Sequence, residues 1–482
     1  MTDRPPLLLM EDHCEAYPFW LEQGVRRATC VHVDAHLDVS DDSFSPDSLA
    51  RILAARCRQD LEGLRGKDLL PWGGFHCGNY LYPALLGGMI EHLIWVVPPH
   101  LPQGDILEWA RRELQHWLDL DLADYASLTR IEDRVEGTLA GRRFTLCTAE
   151  AVPHLEGPLL LDIDLDYFLD PEDKVWQTPY ELLDALALQP DIYTIARSVE
   201  GGYTPLEHRY LGEITEKACR GQRTPWEGLL RQILQADREG KAHDFRRLSE
   251  AIPDPPPWLL AALRYKEGLQ HRRERSGHPL LAEAAHLDPG YAPHPADEGA
   301  LHFRREEMDP ARACFRLAFQ QASTPQEAGF CLFMLGLVEA SDGEYGKAEE
   351  LWRPLVTSVH LTPPEQGYVA FRLGRVLARL GRTQDALDLF AAGLEREPDR
   401  PLYLHHYGLA LREAGQLEAA ARVFRKVLRL APDRLGSLEL HLALAEIYQA
   451  QGKSALAQSE YRRLASKDVT GIYSLKALLG SR

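Results

Sequence analysis

A four-point rule recurs through the second half of the chain. A glycine or alanine is followed by glycine seven residues on, alanine five further on, and an aromatic residue four beyond that. Gly336, Gly343, Ala348 and Trp352 obey it, as do Gly374, Gly381, Ala386 and Phe390. So do Gly408, Gly415, Ala420 and Phe424, and then Ala445, Gly452, Ala457 and Tyr461. A looser copy, Gly299, Glu306, Ala311 and Phe315, puts a glutamate in the turn slot. Successive copies start 37, 38, 34 and 37 residues apart, and Pro398 and Pro432 each lie eight residues past their aromatic. The leading small residue lets a second helix approach, the glycine permits a turn that other residues resist, and the aromatic fills the space between units. A unit this short cannot bury its own apolar face, so the copies must stack.

This spacing resembles the tetratricopeptide repeat, a helix–turn–helix unit of about 34 residues. The resemblance implies an all-α superhelix over 298–482, with a concave groove that binds a peptide or protein.

The first half has a different rhythm. Apolar runs at Pro6–Met10, Thr29–Val33, Leu93–Val97, Arg143–Cys147, Pro158–Ile163 and Asp191–Ala196 predict strands. Helical patterns at Ser45–Leu61, Asn79–Glu91, Gly104–Leu118 and Pro179–Leu188 lie between several of them. Apolar strands joined by helices predict a three-layer α/β domain around a parallel sheet, with ligands at the carboxyl ends of the strands. Ile252-Pro253-Asp254-Pro255-Pro256-Pro257 breaks any regular element. It divides an α/β domain at 1–250 from a linker with connecting helices at 251–297 and the repeats beyond.

The formal charge of −18 disfavours nucleic acid or an anionic membrane as partner. No apolar run reaches the ~20 residues of a membrane span. The eight cysteines form no CxxC pair, and no signal-peptide pattern opens the sequence, so a reducing, cytoplasmic setting is expected.

Two acid-rich runs carry the chemistry. Asp34-Ala35-His36-Leu37-Asp38 follows one predicted strand, and Asp162-Ile163-Asp164-Leu165-Asp166 ends another. Read singly, the first is loop polarity and capping. Together they place many carboxylates at buried strand ends, which is costly without counter-charge. Divalent ions supply that charge, and oxygen-rich sets with an imidazole favour Mn²⁺ over a structural zinc.

DAHLD and DIDLD resemble the metal-binding motifs of the ureohydrolases, the arginases, agmatinases and their relatives, which share a fold with the histone deacetylases. Glu11-Asp12-His13, after the first strand, is similar to that family's early histidine ligand. Ser198-Val199-Glu200-Gly201-Gly202-Tyr203-Thr204 is similar to the segment where a glutamate grips the substrate guanidinium. The EDH form is most similar to an arginase-like branch that includes peptide arginases. The resemblance covers roughly residues 7 to 210. It implies two Mn²⁺ ions, one held by His13, Asp34, Asp38 and Asp162, the other by His36, Asp34, Asp162 and Asp164. It also implies that an acidified water attacks the guanidinium carbon, that Glu200 orients that group, and that Asp164 passes a proton to the leaving amine. Urea and an ornithine-type product follow. His76, in Phe75-His76-Cys77-Gly78-Asn79, is the candidate proton shuttle, and Asn79 either caps a helix or faces the substrate. Asp166 leaves the register of the third run open by two residues. The Asp162/Asp164 choice keeps Leu159–Leu161 directly before the first ligand.

The expected function is therefore manganese-dependent hydrolysis of a guanidinium C–N bond in an arginine-containing peptide or protein recruited by the repeats. A deacetylase-like amide hydrolase and a catalytically inactive scaffold are the alternatives. Residues holding a free amino acid's α-groups have no clear equivalents; Ser40 and Asp41 read as solvated loop. Cys77, Trp72-Gly73-Gly74 and His271-Arg272-Arg273-Glu274-Arg275 read as a plain thiol, a turn and a solvated helix face.

Overall fold

A computed structural model of the chain describes residues 4–41, 44–62, 64, 75–222, 227–271, 277–292 and 294–473. Trp72-Gly73-Gly74 and Arg272–Arg275 fall outside them.

Eight strands form one sheet: β1 Leu7–Met10, β2 Ala28–Val33, β3 Ile90–Val96, β4 Thr129–Ile131, β5 Arg134–Leu139, β6 Arg142–Cys147, β7 Leu159–Asp164 and β8 Ile192–Ala196. Their order is β1-β8-β7-β2-β3-β6-β5-β4. All six strands expected from the sequence are present and mutually parallel. The sheet as a whole is mixed, because β4 and β5 extend it antiparallel. The sequence reading missed that hairpin. β4 is exposed along its length and β5 carries Arg134 and Glu136, so neither reads as an apolar run.

The sheet separates two cores. Cys30, Leu93, Trp95, Leu146 and Leu160 point to one face, and Val31, Ile94, Leu161, Ile163 and Ile195 to the other. Both faces are apolar, as in a sheet covered on both sides. The helix expected over Asn79–Glu91 stops at Leu86, and Ile90 already starts β3. Gly87 and Gly88 end it, the latter at a φ of +67° that glycine adopts without strain.

From Leu211 on the chain is helical. Helices Pro257–His271 and Gly277–Leu287 contribute Leu259, Leu263, Tyr265 and Ala284 to the sheet's second core, so the segment after the Pro-rich stretch packs as part of the α/β layer. The repeats have their own core, starting near Ala296. They form five helical pairs: Pro295–Arg304 with Met308–Gln321, Pro325–Ser341 with Tyr345–Trp352, Pro363–Arg379 with Thr383–Arg396, Pro401–Glu413 with Leu417–Leu430, and Gly436–Ala450 with Ser454–Lys467. The anchor rule has a steric origin here. A Cβ on Gly336 would lie 2.1 Å from the Trp352 ring, and one on Gly408 would lie 2.3 Å from Phe424. Glu306 holds the turn-glycine slot at a φ of +59°, beside +80°, +72°, +72° and +73° for Gly343, Gly381, Gly415 and Gly452.

Among the described residues the array touches the α/β domain at two places. Its first helix covers Gly202, where a Cβ would meet the Leu301 backbone at 2.3 Å. Further along, the loop before Gly436–Ala450 pairs with residues 119–122. Leu435 N–H donates to Leu120 O at 2.8 Å and Leu122 N–H donates to Asp433 O at 2.7 Å. Arg434 adds hydrogen bonds to the Asp119 carbonyl and, at 2.9 Å, to Tyr82, and an ion pair with Asp41 at 3.1 Å. Asp41, expected to be a solvated loop residue, is thus part of this joint.

Candidate metal centre

Strand geometry explains how the acids meet. Side chains two apart on a strand share a face, so His32, Asp34 and the residues beyond continue one column. The same holds for Asp162 and Asp164 on β7, which pairs with β2. His32 lies opposite Asp162 and Val33 opposite Ile163, so Asp164 falls level with Asp34, one row nearer the strand ends. His13 enters from the short 3-10 turn after β1, which Asp12 caps by accepting from Cys14 N–H.

His13 is fully buried. Its Nδ1 lies 3.4 Å from Asp34 Oδ2, 3.2 Å from Asp38 Oδ2 and 3.1 Å from Asp164 Oδ2. Yet neither His13 Nδ1 nor Asp34 Oδ2 has a well-formed hydrogen bond. Beside this set, Asp34 Oδ1, His36 Nδ1 and Asp166 form a second one. His36 Nδ1 lies 2.8 Å from Asp166 Oδ2 and 3.7 Å from Asp34 Oδ1, within a trio whose ligand atoms all fall within 4.8 Å. Asp34 belongs to both sets.

The lower row braces the upper one. Asp162 Oδ2 accepts from Tyr80 OH at 2.5 Å and lies 3.1 Å from His13 Nε2 and 3.0 Å from His32 Nδ1; Thr194 donates to Oδ1 at 2.5 Å. Four groups thus crowd Asp162, and Asp166, not Asp162, stands beside His36. His13, His32 and Asp34 also lie close enough to share an ion. Both His32 nitrogens are engaged, however, Nδ1 with Asp162 and Nε2 with the His36 carbonyl at 3.1 Å, so His32 acts as a brace. Ser198 donates to Asp164 Oδ2 at 2.6 Å. Asp38 and Ser198 both sit in the left-handed region, at φ +55° and +49°, conformations that persist where surrounding structure imposes them.

Electrostatics shows what the cluster lacks. Burial, then Asp166 and Asp34, push Asp164 up to about 7. Burial, with Asp34 adding repulsion, pushes Asp38 and Asp166 each up to about 6. Burial opposes a charge on His13, but Asp162 and the other carboxylates hold its pKa well above the usual value. Five aspartates around three imidazoles call for added positive charge. His13 Nδ1 and three carboxylate oxygens, two of these four buried atoms unsatisfied, fit a divalent ion, and the oxygen-rich sets fit Mn²⁺ or a similar metal.

His36 is the most accessible member, half-buried with its side chain 35% accessible. Tyr203 meets its ring edge-on at 5.0 Å and Trp117 at 6.3 Å. Arg304, from the first repeat helix, lies over Tyr203 at 3.4 Å and donates to Gly201 O at 3.0 Å. The repeat region therefore supplies a side chain at the mouth.

His13, Asp34, His36, Asp38, Asp162 and Asp164 all gather in the cluster. Glu200, His76 and Asn79 are not among the ligand-type trios of the described residues. Glu200 is exposed and lines a cavity that none of the cluster residues lines. His76 folds onto its own turn, its Nδ1 accepting from Gly78 N–H at 3.2 Å. Asn79 is buried and its Oδ1 accepts from His76 N–H at 2.9 Å, which fixes that turn; Tyr80 is the N-cap of the next helix. Cys77 is half-buried, and desolvation pushes its thiol pKa far up and leaves it a poor nucleophile. His32 was legible from its place in the i, i+2 column; Tyr80, Thr194, Trp117 and Arg304 carried no comparable signal.

A family model of the tetratricopeptide repeat matches residues 333–401 and 371–434. Among solved structures, one titled "Crystal structure of YrrB: a TPR protein with an unusual peptide-binding site" is 17% identical, at a TM-score of 0.34, over 41% of this chain and 97% of that one. A structure of MamA is 16% identical, at a TM-score of 0.31, over 35% of this chain and 94% of its own. No curated protein matches the chain. No described helix is long and apolar enough to cross a membrane.

Proposed function

We propose that tetratricopeptide repeats in the C-terminal region present a polypeptide to a two-metal hydrolase centre in the α/β domain, and that the bond cleaved is a guanidinium C–N bond of arginine. The observation that supports this most directly is the pair of ligand sets sharing Asp34, with His13 Nδ1 and Asp34 Oδ2 left without hydrogen bonds. In this reading one ion would be held by His13, Asp34, Asp38 and Asp164, and the other by Asp34, His36 and Asp166 with Asp164. The register is thus two residues later than the Asp162/Asp164 choice, and Asp162 orients His13 and Tyr80 instead. Such ions supply Lewis acidity and lower the pKa of a water.

The chain's own groups do the rest. Trp117 and Tyr203 flank His36 as an aromatic slot, which suits a flat cation. Glu200, three residues before Tyr203 in the same loop, turns inward to pair with the guanidinium when substrate enters. Asp164, with Ser198 donating to it, accepts the proton and delivers it to the leaving amine. Arg304 narrows the mouth from the repeat side, which favours a side chain reaching in from a polymer over a free amino acid.

The decisive assay measures urea released by the Mn²⁺-loaded chain from free arginine, agmatine and arginine-containing peptides. Urea from the peptides, little or none from the free compounds, and its loss in Asp166→Asn are expected. Acetate from acetyl-lysine peptides without urea from any substrate would overturn the reading.

A further inference from the structure

A cavity of about 1060 Å³ lies where the loop after β8 meets the first repeats, and none of the cluster residues lines it. Ligand pockets commonly span ~300–1,000 Å³, so this one can hold several side chains at once. Its wall is acid-rich, with Glu200, Glu207 and Glu298 on it. Its two arginines are already engaged, Arg209 by Glu11 at 2.5 Å and Arg305 by Asp173. Apolar surface comes from Tyr265 and Phe330. Thr204, about 1% exposed and also on the wall, has a hydroxyl without a hydrogen-bond partner. An unmet buried hydroxyl beside carboxylates and rings suits a ligand that brings a hydrogen-bonding group, positive charge and apolar bulk together.

We propose that this cavity binds a cationic segment of a polypeptide, with basic side chains facing Glu207 and Glu298 and a main-chain carbonyl accepting from the Thr204 hydroxyl. Helix Pro295–Arg304 carries Glu298 on the cavity wall and Arg304 at the mouth of the metal cluster, so a chain seated in the cavity lies one helix away from His36. That the polypeptide is the substrate rests on the function proposed above; that the cavity takes a cationic segment does not.

The test is fluorescence anisotropy on the full chain, with a labelled twelve-residue peptide alternating arginine and leucine and a control with glutamate in place of arginine. The arginine peptide is expected to bind at least tenfold more tightly, and to weaken as salt rises. Glu207→Lys with Glu298→Lys should cost a further tenfold or more, and Thr204→Val several-fold, with Mn²⁺ stoichiometry unchanged as the check on folding. Equal binding of the two peptides, or arginine-peptide binding untouched by the charge reversals, would overturn the proposal. Repeating the titration with Asp34→Asn keeps the two readings apart. Binding retained there, with no urea from the wild type, leaves the cavity standing and removes the hydrolase.

Discussion

The repeat array and the cluster of aspartates and histidines solve opposite problems. In the array each contact that matters is short in sequence. Gly336 meets Trp352 sixteen residues on, and the same geometry recurs at Gly374 with Phe390 and at Gly408 with Phe424. In the cluster, His13, Asp34 and Asp164 come from three separate strand ends. Local contacts repeat, so their spacing shows in the sequence. Long-range contacts occur once, so only the residue types show.

The largest expected effect is on the cluster. Asp34→Asn removes a ligand common to both sets and should abolish Mn²⁺ binding and urea release together, read by metal analysis and assay. Mn²⁺ should raise the melting temperature of the wild type and leave that of the variant unmoved. Asp162→Asn sharpens the register. It should weaken metal affinity by about 10–100-fold, as expected for a group that supports ligands, whereas Asp166→Asn should empty the second site.

A break in the array comes next. Trp352→Ala should cost about 3–5 kcal/mol by denaturant unfolding, since the ring is buried against Phe333 at 5.7 Å. If the two regions are energetically separate, Mn²⁺ stoichiometry should survive. Arg434→Ala tests the joint between them and should cost about 1–3 kcal/mol, the range for hydrogen bonds to a charged group left unmade.

The smallest effect is a pH dependence. Asp237 is half-buried, and Lys266 at 2.7 Å and His208 hold its pKa well below the usual value against the cost of desolvation. A depressed carboxylate contributes stability above its unfolded pKa of ~3.9 and loses it as pH falls toward the folded one. Wild type should therefore lose stability relative to Asp237→Asn on acidification below about pH 4, seen in parallel urea titrations.

Much of the fold was legible. Six strands are visible because each is a largely apolar run; five lie inside the sheet with mostly buried residues, and the edge strand β1 is partly exposed. β4 and β5 were missed because an exposed antiparallel edge needs no such run. In the site, the column Asp34, His36, Asp38 and the acids Asp162 and Asp164 were visible as ligand types. Which acid in the run faces the shared atoms was not, because three aspartates at every second position lie on the same face whatever the register. Asn79, a cap or a substrate contact by its place before a helix, also accepts from the His76 N–H and so holds the preceding turn, a local contact that the sequence pattern does not show.

The sequence by itself determined that this chain has a stacked helical array and an α/β half with acids at its strand ends. Periodicity and residue type are properties of the chain and survive without coordinates. Only the tertiary structure decided that Asp162 lies a row below Asp34 and Asp164 and that Arg304 lies over Tyr203 beside His36. Those facts depend on how β2 pairs with β7 and where the first repeat docks, and pairing and docking are settled by the packed whole.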